Sequence, residues 1–301
     1  MQNKLLLLKQ KIAAYGTLAV AFSGGVDSAF LLSYAKEVLG EGVIAVTAMA
    51  PNFDPKEISD AKKFCEEKDI RHLIINLGPE LIAKFSHNPE DRCYICKKEV
   101  FSKLRSTVND LGYHNLADGT NRDDMDDFRP GQKALNELKI ASPLKEAGFT
   151  KADIRQGLKA MNIDMWDKPA YACLASRIPY GEEITVKKLK SVNDAESALM
   201  DLGFRQVRVR HHGDVARIEV LPEERNLFYN EKFMDHVDAA VKKAGFKYAS
   251  LDLSGYKMGN LNKQADGEMR NPNKQADVNM RNLNKETNKD KEYKKHGKSK
   301  K

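Results

Sequence analysis

Apolar and polar positions follow two rhythms along the first half of the chain. Residues 4–15 carry one apolar face at helical spacing. Residues 18–22 form a short apolar run that reads as a buried strand, and 28–39 return to the helical rhythm. Further strands are expected at 43–48, 72–76 and 115–118. Helices are expected at 55–68, with Asp54 as cap, and from about 94 to 111, after a loop around 86–92. Strand and helix taking turns in this way predicts an α/β fold, a parallel twisted sheet with helices on both faces. Ligands of such sheets gather beyond the carboxyl ends of the strands. Residues 23–28, 47–51 and 118–121 fall there.

The rhythm changes later. Residues 151–161 form an amphipathic run that Thr150 can cap, and 166–179 show no clear element. Then come a helix at 186–202, alternating strands at 206–210 and 216–220, a helix over 222–244 and a strand at 248–253. Helix–strand–strand–helix–strand reads as a small α+β unit with a ferredoxin-like character. The expected division is 1–170, 171–258 and a tail at 259–301.

Charge changes this picture little. The chain carries +7, but the residues from Asn260 onward hold 12 Lys+Arg and 6 Asp+Glu, which leaves the body close to neutral. A neutral body offers no general footprint for a polyanion. Segments 260–270, 271–281 and 282–292 are degenerate copies of one 11-residue unit. They hold almost no apolar residues to offset the entropy of ordering, so a disordered extension is expected. A tether for RNA or an acidic partner is the alternative. No stretch approaches the roughly 18 apolar residues of a membrane span. Four cysteines in 301 residues make no disulfide scaffold, so a reducing cytoplasm is the expected setting.

The chemistry concentrates in a few places. Ser23-Gly24-Gly25-Val26-Asp27-Ser28 joins the first strand to a helix. A glycine-rich turn at a helix N-terminus exposes backbone N–H groups to an anion. It lacks the Gly-Lys-Ser/Thr ending of the common nucleotide loop, and it resembles the pyrophosphate-binding loop (PP-loop) of ATP pyrophosphatases. Cys93 and Cys96 form a C-x-x-C at a helix start, with Cys173 far along the chain. The pair suits a metal, an iron–sulfur cluster or a redox couple, and chance spacing and a buried Cys173 stay open. The helix end with Arg92, Lys97 and Lys98 is expected to lower the thiol pKa values. Cys65, among Ala61, Phe64 and Ile70, reads as a core residue. Arg208 and Arg210 share one strand face, either as anion forks or as a charged outer surface. Asp123, Asp124, Asp126 and Asp127 make an acidic run, read as a solvated loop of which Asp126 is the metal candidate. His211 and His212 read as a turn, and Trp166 as core or substrate border.

The loop at 23–28, Asp118-Gly119-Thr120-Asn121, Asp126-Asp127-Phe128-Arg129-Pro130-Gly131 and the run from Lys168 through Cys173-Leu174-Ala175-Ser176-Arg177-Ile178-Pro179-Tyr180-Gly181 together resemble the LarE family. The resemblance covers about residues 1–258. It implies an ATP-dependent sulfur transferase that adenylates the carboxylates of pyridinium-3,5-biscarboxylic acid mononucleotide and turns them into thiocarboxylates. That product leads to the nickel-pincer cofactor of lactate racemase. It implies ATP and Mg²⁺ at Ser23, Gly24, Gly25, Asp27, Ser28, Ala48, Gly119 and Thr120, with Asp27 on Mg²⁺. The substrate phosphate falls to Ser176, Arg177, Arg208 and Arg210; Glu196 matches a residue of interest in the family, and Lys97 and Lys98, beside the thiols, either steer carboxylate or sulfide or are plain helix-surface lysines. Family members with one cysteine at the position of Cys173 sacrifice its sulfur. Those with an added C-x-x-C resemble this chain and imply a [4Fe-4S] cluster on Cys93, Cys96 and Cys173, its open iron carrying hydrosulfide. The implied partners are a sulfide donor, other enzymes of nickel-pincer synthesis and further copies of the chain, with neither membrane nor nucleic acid. The rival readings are a tRNA thiolation enzyme, an amide-forming PP-loop synthetase, a nucleotide-sensing regulator, and the same reaction with Cys173 as sacrificial donor.

Overall fold

A computed structural model describes residues 1–125, 130–168 and 173–257. Asp126 and Asp127, the segment 169–172 and the repeat tail therefore lie outside the described residues. The chain opens with helix α1 (Gln2–Tyr15), strand β1 (Leu18–Ala21), α2 (Val26–Leu39), β2 (Val43–Met49), α3 (Pro55–Glu67) and β3 (His72–Asn76). A short α4 (Glu80–Ala83), the long α5 (Arg92–Asp110) and β4 (Leu116–Ala117) follow. Then come α6 (Pro130–Glu137), α7 (Pro143–Glu146) and α8 (Lys151–Ala160). The last stretch holds α9 (Val186–Asp201), β5 (Val207–His212), β6 (Val215–Val220), α10 (Glu231–Lys243) and β7 (Tyr248–Leu251).

The first sheet has the order β3-β2-β1-β4, and all its pairs are parallel. A parallel bridge from Ala117 to Ala141 extends it. Successive strand residues point to opposite faces. Accordingly Ala19, Ile44 and Val46 join one buried cluster, while Leu18, Val20, Val43 and Ala45 join the other. Both faces are covered, as the apolar strand runs require. Burying one such Val, Leu or Ile side chain is worth about 1.5–3 kcal/mol.

The chain leaves β1 for β2 and β3 on one flank, then returns to place β4 on the other flank. The loops after β1 and β4 therefore part at their carboxyl ends, where ligands of such sheets bind. The second sheet runs β5-β6-β7, antiparallel then parallel. The first cluster continues into it without a break, from Val100 and Leu104 of α5 to Leu189 and Val192 of α9 and Val209 of β5. Residues Met1–Tyr256 form one compact unit.

Local chemistry sets the helix ends. Asp54 caps α3 by accepting from Lys56 N at 2.8 Å, and Thr150 and Asp153 form a capping box on α8. Such caps contribute about 1 kcal/mol. One expected element divides. The single helix over 222–244 is a 3-10 segment, Pro222–Tyr229, followed by α10. Asn230 starts a new helix by accepting from Phe233 N at 3.0 Å. Asparagine favours a cap over a helix interior, which explains the break.

Candidate active site

The loop after β1 is held by its two serines. Ser28 Oγ donates to the Gly25 carbonyl (3.1 Å) and lies 3.2 Å from Ser23 Oγ, which accepts from Gly25 N (3.3 Å). Gly24 has φ +73°, and a Cβ there would meet the Glu57 carbonyl at 2.7 Å. The position needs glycine on both counts. Gly119, from the loop after β4, packs so close that a Cβ would stand 2.8 Å from Ser28 N. The two loops thus meet at the switch point. Lys168 Nζ bridges the Gly24 carbonyl (3.0 Å) and Asp60 (2.7 Å).

Asp27 projects from the first turn of α2 and pairs with Lys151 at the start of α8. Its Oδ1 is buried without a hydrogen-bond partner. Burial raises its pKa, and Lys151 opposes that rise. A carboxylate with one oxygen on a lysine and the other orphaned, beside a phosphate-type loop, suits a hard cation. Asp124 lines the same space, and its Oδ2 accepts from Asn121 N at 3.0 Å. Asp118 serves the scaffold, accepting from Ser142 Oγ (2.7 Å) and Thr120 Oγ1.

Part of this assembly lines one cavity of about 510 Å³, which Gly24, Lys151 and Lys168 do not border. Ser23, Gly25, Asp27, Ser28, Ala48, Gly119 and Thr120 face it from the nucleotide loops. Cys93, Cys96 and Cys173 face it too, with Lys97 and Ser176. The trio dispersed in sequence is therefore gathered in space. Asn52, fully buried after β2, joins two of its members: its amide nitrogen lies 3.3 Å from Cys173 Sγ and 3.7 Å from Cys96 Sγ. The Asn52 carbonyl also accepts from Leu174 N (3.0 Å), tying the β2 loop to the cysteine segment.

The expectation of low thiol pKa values is overturned. Both Cys93 and Cys96 are raised, first by desolvation and then by the neighbouring Cys173. Arg92 and Lys97 pull Cys93 down, but the surrounding protein outweighs them. Lys98 turns outward to Glu137 (3.0 Å) and Tyr94 (2.9 Å). Cys65 is a core residue, its thiol pushed up to about 12 by burial.

The arginines are neither an outer strand face nor open forks. Arg177, 2% exposed, donates through Nε and Nη2 to both carboxylate oxygens of Glu196, at 2.8 and 3.0 Å. Arg210 holds Glu219, which is fully buried, in the same way, at 3.0 and 2.8 Å. Arg208 is buried over the Tyr256 ring and donates to the Val207 carbonyl at 2.8 Å. Desolvation and then repulsion from Arg177 lower its pKa. Of the four phosphate candidates Ser176 alone borders the cavity. Trp166 packs on the core under Lys159, and His211 and His212 close β5 before the turn at Gly213.

Two polar cavity residues, Asn52 and Glu57, carried no expected role, and Arg92, expected only to act on the thiols, lines the cavity itself. Asn52 and Glu57 flank the β2–α3 turn, and Arg92 opens α5. Burial pushes the Glu57 carboxyl up to about 7, against the pull of Lys168. Their position beyond the carboxyl end of β2, or beside the C-x-x-C, was the only available signal.

Among the described residues no helix is long and apolar enough to cross a membrane. A family model described as NAD synthase matches residues 1–114, the stretch that carries the first loop. An uncharacterized protein of Synechocystis sp. is 40% identical over 263 residues, 87% of this chain and 98% of its own length. A Methanocaldococcus jannaschii protein, also uncharacterized, is 28% identical over 240 residues, 80% of this chain and 90% of its own. The pyridinium-3,5-bisthiocarboxylic acid mononucleotide synthase of Lactiplantibacillus plantarum is 37% identical over 249 residues, 81% of this chain and 88% of its own. At that identity over four fifths of its length, the chain belongs to the LarE family within the PP-loop ATP pyrophosphatases.

Proposed function

We propose that this chain is an ATP-dependent sulfur transferase that converts the carboxylates of pyridinium-3,5-biscarboxylic acid mononucleotide into thiocarboxylates. One observation carries the reading: an ATP-type loop and three cysteine sulfurs face the same cavity. Neither an amide synthetase nor a passive sensor needs that pairing.

The loop from Ser23 to Ser28 receives the ATP phosphates through its backbone N–H groups and hydroxyls. Asp27 holds Mg²⁺ with its orphaned oxygen, and Ala48, Gly119 and Thr120 border the nucleotide. A substrate carboxylate oxygen attacks the α-phosphorus, and the bond to the pyrophosphate oxygen breaks. The acid now carries AMP, a far better leaving group than an oxide. A sulfur nucleophile then adds to the acyl carbon, and AMP departs with the original carboxylate oxygen. The substrate phosphate falls to Ser176 at the cavity wall, and Arg177, Arg208 and Arg210, buried outside the lining, add positive potential rather than direct forks. On this reading residues 1–170 carry the nucleotide loop and 171–258 the groups for the substrate phosphate.

Cys93, Cys96 and Cys173 fit an iron–sulfur cluster by donor chemistry. Among the described residues no three His, Cys, Asp or Glu side chains stand close enough to share one metal ion. A [4Fe-4S] cluster asks less, because each thiolate takes a separate iron. When bound, it supplies a fourth iron free to carry sulfide from an external donor. Asn52 orients Cys96 and Cys173 toward the acyl carbon.

The test is pyrophosphate release. Release is expected with ATP plus the biscarboxylate nucleotide and not with ATP alone. Cys173→Ala is expected to keep release and lose thiocarboxylate. An unchanged thiocarboxylate yield in that variant would refute the sulfur-transfer role.

A further inference from the structure

Arg92 is the anomaly of the cavity. It is 4% exposed and lines the thiol side. Its guanidinium donates through Nη1 to the Asn88 amide oxygen, lies 4.2 Å above the Tyr180 ring, and touches Cys93. Among the described residues no carboxylate stands within ion-pair distance of it. Arg177 and Arg210, equally buried, each grip a glutamate in a two-pronged contact. A buried cation without a counter-ion is costly unless an anion arrives to pair with it.

The surroundings fix Arg92 and leave it turned to the cavity. Asn88 is fully buried and donates to the carbonyls of Ile178 (3.3 Å) and Pro179 (2.6 Å). Its own carbonyl accepts from Gly181 N (3.1 Å). One short loop thus locks the guanidinium against Tyr180 and sets it at the first residue of α5, a 19-residue helix. The helix N-terminus adds positive potential at the same place. A planar fork held rigid by stacking and a hydrogen bond suits a planar, two-oxygen anion.

We propose that Arg92 is the receptor for the second carboxylate of the substrate, the one not being adenylated. The inference rests on the proposed reaction and deepens it. While one acid group reacts beside the nucleotide loop, the other must be held within the same cavity. A thiocarboxylate presents the same charge and planar shape, so Arg92 serves both rounds, holding the finished group during the second. It thereby selects for two acid groups on one ring.

The probes are pyridine-3,5-dicarboxylate and nicotinate, which differ by one carboxylate, with binding followed by calorimetry on the full chain. The unmodified protein is expected to prefer the dicarboxylate by about tenfold or more, and Arg92→Gln to lose that preference. Arg92→Lys keeps the charge without the fork and is expected to retain part of it. In turnover, Arg92→Gln is expected to raise KM for the nucleotide substrate about 10- to 100-fold while KM for ATP holds. Intact preference in Arg92→Gln, or lowered thermal stability with unchanged KM, would overturn the receptor and leave Arg92 a strut for the Asn88 loop. If the unmodified protein releases no pyrophosphate with the biscarboxylate nucleotide yet still separates the probes through Arg92, the proposed reaction fails while the receptor stands.

Discussion

Asn52 and Cys173, 121 positions apart, are joined by a 3.3 Å contact from amide nitrogen to sulfur. The same nitrogen reaches Cys96 at 3.7 Å, and the opposite end of the amide, Oδ1, is buried without a partner. One side chain thus links both cysteine segments to the turn after β2. An ordinary hydrogen bond contributes about 0.5–1.5 kcal/mol. Asn52→Ala is expected to slow sulfur transfer about 3- to 10-fold while pyrophosphate release continues. Rapid-quench measurement of the two products separates the steps, and equal slowing of both would point to a general loss of structure.

Gly119 is fixed by Ser28. An added Cβ would meet backbone atoms of Ser28 at 2.8 and 3.1 Å, and backbone cannot rotate aside. Gly119→Ala is expected to cost about 1–3 kcal/mol of stability and to weaken ATP binding by pushing the two loops apart. Denaturant unfolding and nucleotide titration check both effects.

The loop half of the candidate site was legible because its signal is local. A glycine-serine turn between an apolar run and a helix reports its own conformation, and β1, β2 and β3 announced themselves as short apolar runs. The cysteines were legible by spacing, their electrostatics were not. Arg92 and Lys97 sit beside Cys93 in sequence, but desolvation and then Cys173, 80 positions away, outweigh them. The partners of the arginines were hidden in the same way. Arg210 shows its charge in the sequence, while its partner Glu219 becomes visible only once β6 pairs with β5. Asn52 and Glu57 carry no periodic signal, and only the fold brings them to the cavity.

Arg177 and Glu196 form a buried, two-pronged pair, and Glu196 also accepts from Val209 N at 2.9 Å. Removing one partner strands the other charge. Glu196→Ala is expected to destabilise the fold by about 3–5 kcal/mol, and replacing both residues together, Arg177→Met with Glu196→Leu, to recover much of that. A double-mutant cycle by denaturant unfolding measures the coupling.

Glu57 sets a pH dependence. Its carboxyl ordinarily titrates near 4.5 and is pushed up to about 7 in the fold, chiefly by burial. Between those values the folded chain binds more protons than the unfolded one, so stability falls as pH rises. The contribution is fully present below the lower value and gone above the upper one. Glu57→Gln is expected to flatten this part of the stability profile, read as urea midpoints at the two ends of the window. An unchanged slope would place the titration elsewhere.

The most direct measurement counts thiocarboxylates formed per chain under anaerobic conditions with ATP, biscarboxylate nucleotide and added sulfide, with the mass of the cysteine-bearing peptides read afterwards. Many products per chain, with the thiol at position 173 intact, is the result predicted for sulfur relayed through the three cysteines. A yield that stops at one, with the sulfur of Cys173 gone, would contradict the relay and make that residue the spent donor.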